Sequence, residues 1–213
     1  MKIENIIFDL GVLVITLDKY KAIKRFKEIG LDDAEERLDA YTQQGIFGEV
    51  EKGLITPEEF RQKLSELAHH EVTYEECEYA WQGYVGELPQ RNLEALKKLR
   101  KEGYRLILLS NTNQFMMEWA GSDRFDGKGH SIYHYFDGVY LSYQMHMLKP
   151  DPQFFRQVLL QEGILAENTL FLDDGPRNVA AASQLGIFTY CPENGADWTK
   201  EIYEKYLRKS IKI

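Results

Sequence analysis

Ile6-Ile7-Phe8-Asp9-Leu10-Gly11 decides the fold, together with two later stretches of the same design, Leu106-Ile107-Leu108-Leu109-Ser110-Asn111 and Leu170-Phe171-Leu172-Asp173-Asp174. Each is an apolar run of strand length that stops on polar residues suited to phosphate or metal. Strands that read as continuous apolar runs are buried on both faces, as in a parallel sheet. In an open α/β sheet, ligands bind beyond the carboxyl ends of the strands. Three polar ends far apart in sequence are therefore expected to converge there. Lys149 stands before Pro150 and after a fourth strand-like run, Val139-Tyr140-Leu141-Ser142-Tyr143, and adds a cation. A nucleophile, a hydroxyl, an ammonium and an acidic pair in one crevice point to phosphoryl chemistry.

The rest of the chain divides around these runs. Between about residues 19 and 89 the pattern is helical: Ala22, Ile23, Phe26 and Ile29 recur at helical spacing, and Gly30 follows as a stop. Thr56-Pro57-Glu58-Glu59 and Thr73-Tyr74-Glu75-Glu76 both read as capped helix starts. Phe60, Leu64 and Leu67 then line one helix, and Cys77, Ala80, Trp81 and Tyr84 the next. From Pro89 onward strands and helices alternate, ending with a strand at 187–190, which specifies a parallel sheet covered by helices. The expected fold is α/β, a Rossmann-like parallel core formed by 1–15 and 90–213, with a small α-helical cap domain inserted at 16–89.

A length of 213 residues suits one such core with its accessory unit, and a formal net charge of −8 argues against nucleic-acid or anionic-membrane partners. Cys77 and Cys191 lie far apart and lack metal-site spacing, which predicts neither a disulfide scaffold nor a zinc site. The sequence carries no basic leader and no run of about 18 apolar residues, so a cytoplasmic location is expected.

Each candidate has a plainer alternative. An Asp at a strand end also begins turns, Ser-Asn after a strand also caps helices, and most lysines are solvated. Asp173-Asp174 is the strongest local signal. Two carboxylates about 4 Å apart repel by roughly 4 kcal/mol at an effective dielectric near 20, and Asp9 nearby adds to this. A hard divalent ion with oxygen ligands, Mg²⁺, resolves the conflict. Other features read as structural. His69-His70 suit a solvated helix end. His130 and His134 lie in a glycine-containing loop with no catalytic Glu between them. Tyr79, Trp81 and Tyr84 read as core of the helical unit, and residues 49–52 are expected to line its face over the site.

Taken in order, these patches resemble the haloacid dehalogenase (HAD) superfamily of aspartate-nucleophile phosphatases, and 109–113 with Lys149-Pro150 look closest to its sugar-1-phosphate branch, which includes α-glucose-1-phosphate phosphatases. The resemblance implies Asp9 as nucleophile and Lys149 as its catalytic cation. It implies Ser110 and Asn111 at the phosphate, and Asp9, Asp174, Asp173 and the carbonyl of Gly11 around Mg²⁺. Asn178 falls at the outer position of the last motif. A small phosphorylated metabolite is the implied partner, with the chain a monomer or homodimer. Carbon–halogen hydrolysis and a non-catalytic phosphate-binding role are the rival functions.

One departure matters. Where most of these phosphatases carry a second Asp as general acid and base, this chain has Gly11, and Val12 stands where Gly or Asn is usual. General acid–base help is worth about 10² to 10⁴ in rate. Without it the enzyme is expected to favour esters with stable leaving groups, such as anomeric or acyl phosphates. A surrogate acid would have to come from Asp18 or from the cap.

Overall fold

The computed structural model describes residues 2–38 and 44–207. Five strands, β1 (Asn5–Phe8), β2 (Arg105–Ser110), β3 (Gly138–Leu141), β4 (Thr169–Leu172) and β5 (Phe188–Tyr190), form one sheet in the order β3-β2-β1-β4-β5. Every pairing is parallel, with Ile7 opposite Ile107 on one side and Phe171 on the other. The order reverses at β1, so the β1/β4 boundary is the topological switch point. β3 is shorter than its sequence pattern suggests. It ends at Leu141, and Ser142-Tyr143 turn into a one-turn helix, whose Ser142 hydroxyl caps the neighbouring loop instead of continuing a ladder.

Although the strands read as uniformly apolar, their side chains alternate between two packed layers. Ile6, Phe8, Leu106, Leu108, Leu170 and Leu172 join the larger cluster, while Ile7, Ile107, Leu109 and Phe171 join a second with Phe154, Phe155 and Val158. Burial on both faces is what allows successive residues in the middle of these strands to be apolar.

Among the described residues the α-helices between β1 and β2 are α1 (Lys19–Glu28), α2 (Ala34–Arg37), α3 (Gly45–Glu51), α4 (Pro57–Ala68), α5 (Tyr74–Trp81) and α6 (Gln90–Lys101). Both Thr-led starts form complete capping boxes, Thr56 with Glu59 and Thr73 with Glu76. The insertion packs on an aromatic cluster in which Phe47 meets Phe26 and Phe60 at centroid distances of 5.4 Å. Phe60 in turn meets Phe115 of α7 (Gln114–Ala120) at 5.5 Å, so the cluster runs on from the insertion into the sheet-covering helices. The chain enters and leaves the insertion through an antiparallel neck. The Thr16 N–H donates to the Glu87 carbonyl at 2.8 Å, the Gly86 N–H donates back to Thr16 at 2.9 Å, and Asn194 clasps Leu17 through both main-chain groups. The remaining helices are α8 (Ser142–Met145), α9 (Pro152–Glu162), α10 (Pro176–Gln184) and α11 (Trp198–Ile202).

Among the features read as structural, His69 caps the end of α4 in the left-handed conformation, and the His130 Nδ1 meets Asp126 at 2.8 Å while its ring stacks on His134. Both cysteines are free thiols. Tyr79 corrects the sequence reading: it is exposed, lies against the Arg25 guanidinium and donates its hydroxyl to Glu28, because its position on α5 faces away from the buried side held by Cys77, Ala80 and Trp81.

Candidate active site

Asp9 follows β1 directly, and its N–H donates to the Leu172 carbonyl at 2.9 Å, which fixes it beside the end of β4. One carboxylate oxygen from each of Asp9, Asp173 and Asp174 falls within a group whose members are all within 4.8 Å of one another. Lys149 reaches this group from the loop after β3. Its ammonium is buried and has three donors, which meet Asp173 at 2.6 Å, Asp9 at 2.8 Å and the Leu109 carbonyl at 2.9 Å. The convergence expected from strand order is therefore present, and Ser110, Asn111, Gly11 and Asn178 line the same cavity.

The two acidic neighbours differ in how much of their bonding capacity is taken. Asp173 is wholly buried: one oxygen accepts from Lys149, the other from the Gly175 N–H at 2.8 Å and Asn178 Nδ2 at 2.9 Å. It orients Lys149 more than it faces the cavity. Asn111 holds the same lysine from behind, donating to the Lys149 carbonyl at 3.0 Å and accepting from its N–H at 2.9 Å. The Asn111 side chain is thus committed to positioning Lys149, a role that spacing did not reveal.

The loop after Asp9 contains the least ordinary backbone in the site. Val12 has φ of 66°, and the Leu13 N–H donates to the Gly11 carbonyl at 2.7 Å, closing a tight turn around Val12. A left-handed conformation costs an L-residue about 1–2 kcal/mol, which explains why Gly or Asn suits this place. Val12 is 2% exposed, and burying a valine contributes about 1.5–3 kcal/mol, enough to offset the strain. The turn uses one lone pair of the Gly11 carbonyl and leaves the other for a cation. A Cβ at Gly11 would come within 2.9 Å of the tip of Leu17, so a leucine occupies the space that a longer residue 11 would use.

Of the stretch 49–52, Glu51 alone lines the cavity. Glu49 pairs with Lys63 at 2.9 Å on the outer face, and the Lys52 carbonyl meets His146 Nδ1 at 3.3 Å. Trp81 and Tyr84 are both core and cavity wall. Asp18 caps α1 by accepting from the Lys21 N–H, which uses it structurally.

The charge balance of the site favours a cation. Burial raises the Asp9 carboxyl to about 6; Lys149 pulls it down less than burial and Asp173 push it up. Burial, then Asp9 and Asp173, raise Asp174 to about 7. For Lys149 burial acts downward, but Asp173 and Asp9 outweigh it and hold the ammonium above its ordinary value. Three carboxylates against one ammonium leave two negative charges, the complement of a divalent ion, and every donor is a hard oxygen. These residues fit Mg²⁺. A carboxyl raised in the fold gives stability that is present below its unfolded value near 4 and lost as pH climbs through 6 to 7. Without metal, the unfolding temperature should fall between about pH 5 and about pH 7.5, and Mg²⁺ should raise it more at the higher pH. An equal Mg²⁺ effect at both pH values, by differential scanning fluorimetry, would contradict this charge assignment.

Residues 3–186 match the haloacid dehalogenase-like hydrolase family. The chain is 43% identical over 200 residues to a D-ribitol-5-phosphate phosphatase of Bacteroides thetaiotaomicron, covering 94% of this chain and 97% of the relative. Among solved structures it superimposes on a HAD-like hydrolase from Porphyromonas gingivalis with TM-score 0.93 at 42% identity, covering 98% of this chain and all of the other. A HAD enzyme of B. thetaiotaomicron, solved with magnesium and inorganic phosphate, matches with TM-score 0.86 at 39% identity over 93% of this chain and 98% of its own. The chain belongs to the haloacid dehalogenase-like hydrolase family.

Proposed function

We propose that the chain hydrolyses the phosphomonoesters of small sugars and polyols. It is a magnesium-dependent phosphatase, and the observation that carries this reading is the meeting of Asp9, Lys149, Asp173 and Asp174 at the switch point of the sheet. The phosphatase relative and the magnesium- and phosphate-bound structure support it. Carbon–halogen hydrolysis needs the nucleophile but gives no reason for the surplus acidic charge.

Asp9 is the nucleophile: a carboxylate oxygen attacks phosphorus, the bond to the leaving oxygen breaks, and an aspartyl phosphate forms that water then cleaves. Lys149 is already fixed by Asp173 and Asn111, so its charge offsets that of the transferring group without reorganisation. Ser110, at the end of β2, and the main chain of Asn111 hold phosphate oxygens. Asp9, Asp174 and the Gly11 carbonyl, with Asp173 adjacent, hold Mg²⁺, which when bound neutralises the phosphate and the carboxylates around it. Residues 16–89 act as the cap over a core of 1–15 and 90–213, with the neck at 16–18 and 84–87 as its attachment. The protein acts in the cytoplasm as a monomer or homodimer.

Two buried groups favour a hydroxylated substrate. Among the described residues Trp81 Nε1 and Asn113 Nδ2 have no hydrogen-bond partner, and both residues line the cavity. A buried donor left unpaired costs about 1–3 kcal/mol, so hydroxyls arriving with the substrate have donors to meet. The relative named for D-ribitol-5-phosphate points to a primary-alcohol phosphate rather than an anomeric one. Purified protein assayed with Mg²⁺ on pentitol, pentose and hexose phosphates should turn over this class and lose all turnover in EDTA. Turnover in EDTA, or of 2-haloacids alone, would overturn the reading.

A further inference from the structure

Release of a polyol from its phosphate expels an alkoxide, a poor leaving group that needs a proton, yet residue 11 is a glycine. The inference rests on the activity proposed above. Lys149 does not supply this proton, because all three of its donors are engaged and its neighbours stabilise the charged form. Asp18 is spent on capping α1.

Glu51 reaches the cavity from the other side. It is the last residue of α3 and lines the cavity with Asp9, Gly11 and Leu17. Its main-chain carbonyl accepts a 2.6 Å hydrogen bond from the Ser142 hydroxyl, which itself accepts from the Thr112 N–H at 2.9 Å. The end of α3 is thereby tied to the loops after β2 and β3. Gly53, with φ of 68°, lies so close to the Tyr143 carbonyl that a Cβ there would stand 2.1 Å away. The contacts of 51–53 seat this edge of the insertion on the core and hold Glu51 over the nucleophile.

We propose that Glu51 is the proton donor and acceptor of the reaction, occupying from the cap the role that residue 11 leaves open. In the first half, as Asp9 bonds to phosphorus, the electron pair of the breaking P–O bond goes to the leaving oxygen, which takes the Glu51 proton and departs as an alcohol. In the second half, the Glu51 carboxylate takes a proton from water, the water oxygen bonds to phosphorus, and the bond from phosphorus to Asp9 breaks. Phosphate leaves and Glu51 is again protonated. In the metal-free protein burial, and next the charge of Asp9, push the Glu51 carboxyl up to about 8, the direction that favours the protonated form a proton donor needs. The charged groups that share its cavity are Asp9, Lys149 and Asp174. Because the acid sits on the insertion, proton transfer is available only when that unit is seated on the core.

The test uses the full chain with Mg²⁺, D-ribitol-5-phosphate and p-nitrophenyl phosphate. Glu51→Gln should lower kcat on the polyol phosphate by about 10² to 10⁴. With p-nitrophenyl phosphate, whose leaving group needs no proton, the variant should give a burst of about one nitrophenolate per active site and then slow turnover, since the phosphoenzyme lacks its base. Equal losses on both esters without a burst, or a change confined to KM, would overturn the proposal. A second measurement needs no variant: the wild type should hydrolyse the two esters at rates within about tenfold of each other, whereas a polyol ester slower by about 10³ would show that no acid operates. If the wild type turns over neither ester, the proposed function fails before Glu51 is tested.

Discussion

Asp9→Asn should abolish turnover of every phosphomonoester, by at least about 10⁴-fold, while the protein keeps its fold. The loss is large because, in the proposed reaction, Asp9 forms the bond to phosphorus, and the remaining residues have nothing to position without it. Stability should hold or rise. In the metal-free protein Asp9 is a partly buried carboxyl beside Asp173 and Asp174, and desolvation, with Asp173 adding to it, disfavours its charge. An amide at this site removes one of the repelling charges and leaves Lys149 paired with Asp173 at 2.6 Å. Activity assays beside thermal unfolding in EDTA at neutral pH check both halves. An Asp9→Asn protein with more than about a hundredth of wild-type turnover would remove Asp9 from the role of nucleophile.

Lys149→Met should cost both activity and stability. The methionine retains much of the stem, but Asp173, wholly buried, and Asp9 lose their shared cation, and removing one partner of a buried charge cluster costs about 3–5 kcal/mol. Urea denaturation without metal should show this loss near neutral pH and a smaller one near pH 5. The sign follows from linkage: with the ammonium gone the Asp9 carboxyl rises further, so ionising it opposes folding as pH increases, and protonating it relieves the strain. Mg²⁺ should restore part of the stability but little of the activity, because in the proposed reaction the lysine also offsets charge on the transferring phosphate. Wild-type stability in the methionine variant at neutral pH would mean that Asp9 and Asp173 do not depend on this ammonium.

The strands, their polar ends and the helical insertion were legible in the sequence because each is a local property. A strand buried on both faces reads as an apolar run, a capping box occupies four residues, and a polar residue such as Asp9 marks where its strand stops. Strand order alone then brings Asp9, Ser110, Lys149 and Asp173-Asp174 to one end of the sheet. Family likeness also named Asn178, without revealing that it holds Asp173.

What only the tertiary structure decided depends on contacts between distant residues. Glu51 lies among Glu49 and Lys52, and nothing local separates it from them; its place over Asp9 comes from a hydrogen bond to Ser142, 91 residues away. The Asn111 side chain grips Lys149 across 38 residues, and Asp173 is held by Lys149, Gly175 and Asn178 together. Trp81 reads as core by its helical spacing, and it is core. That the same ring walls the cavity follows from how the insertion lies on the sheet. Periodicity reports whether a side chain is buried, but the chemistry it performs depends on what is buried with it.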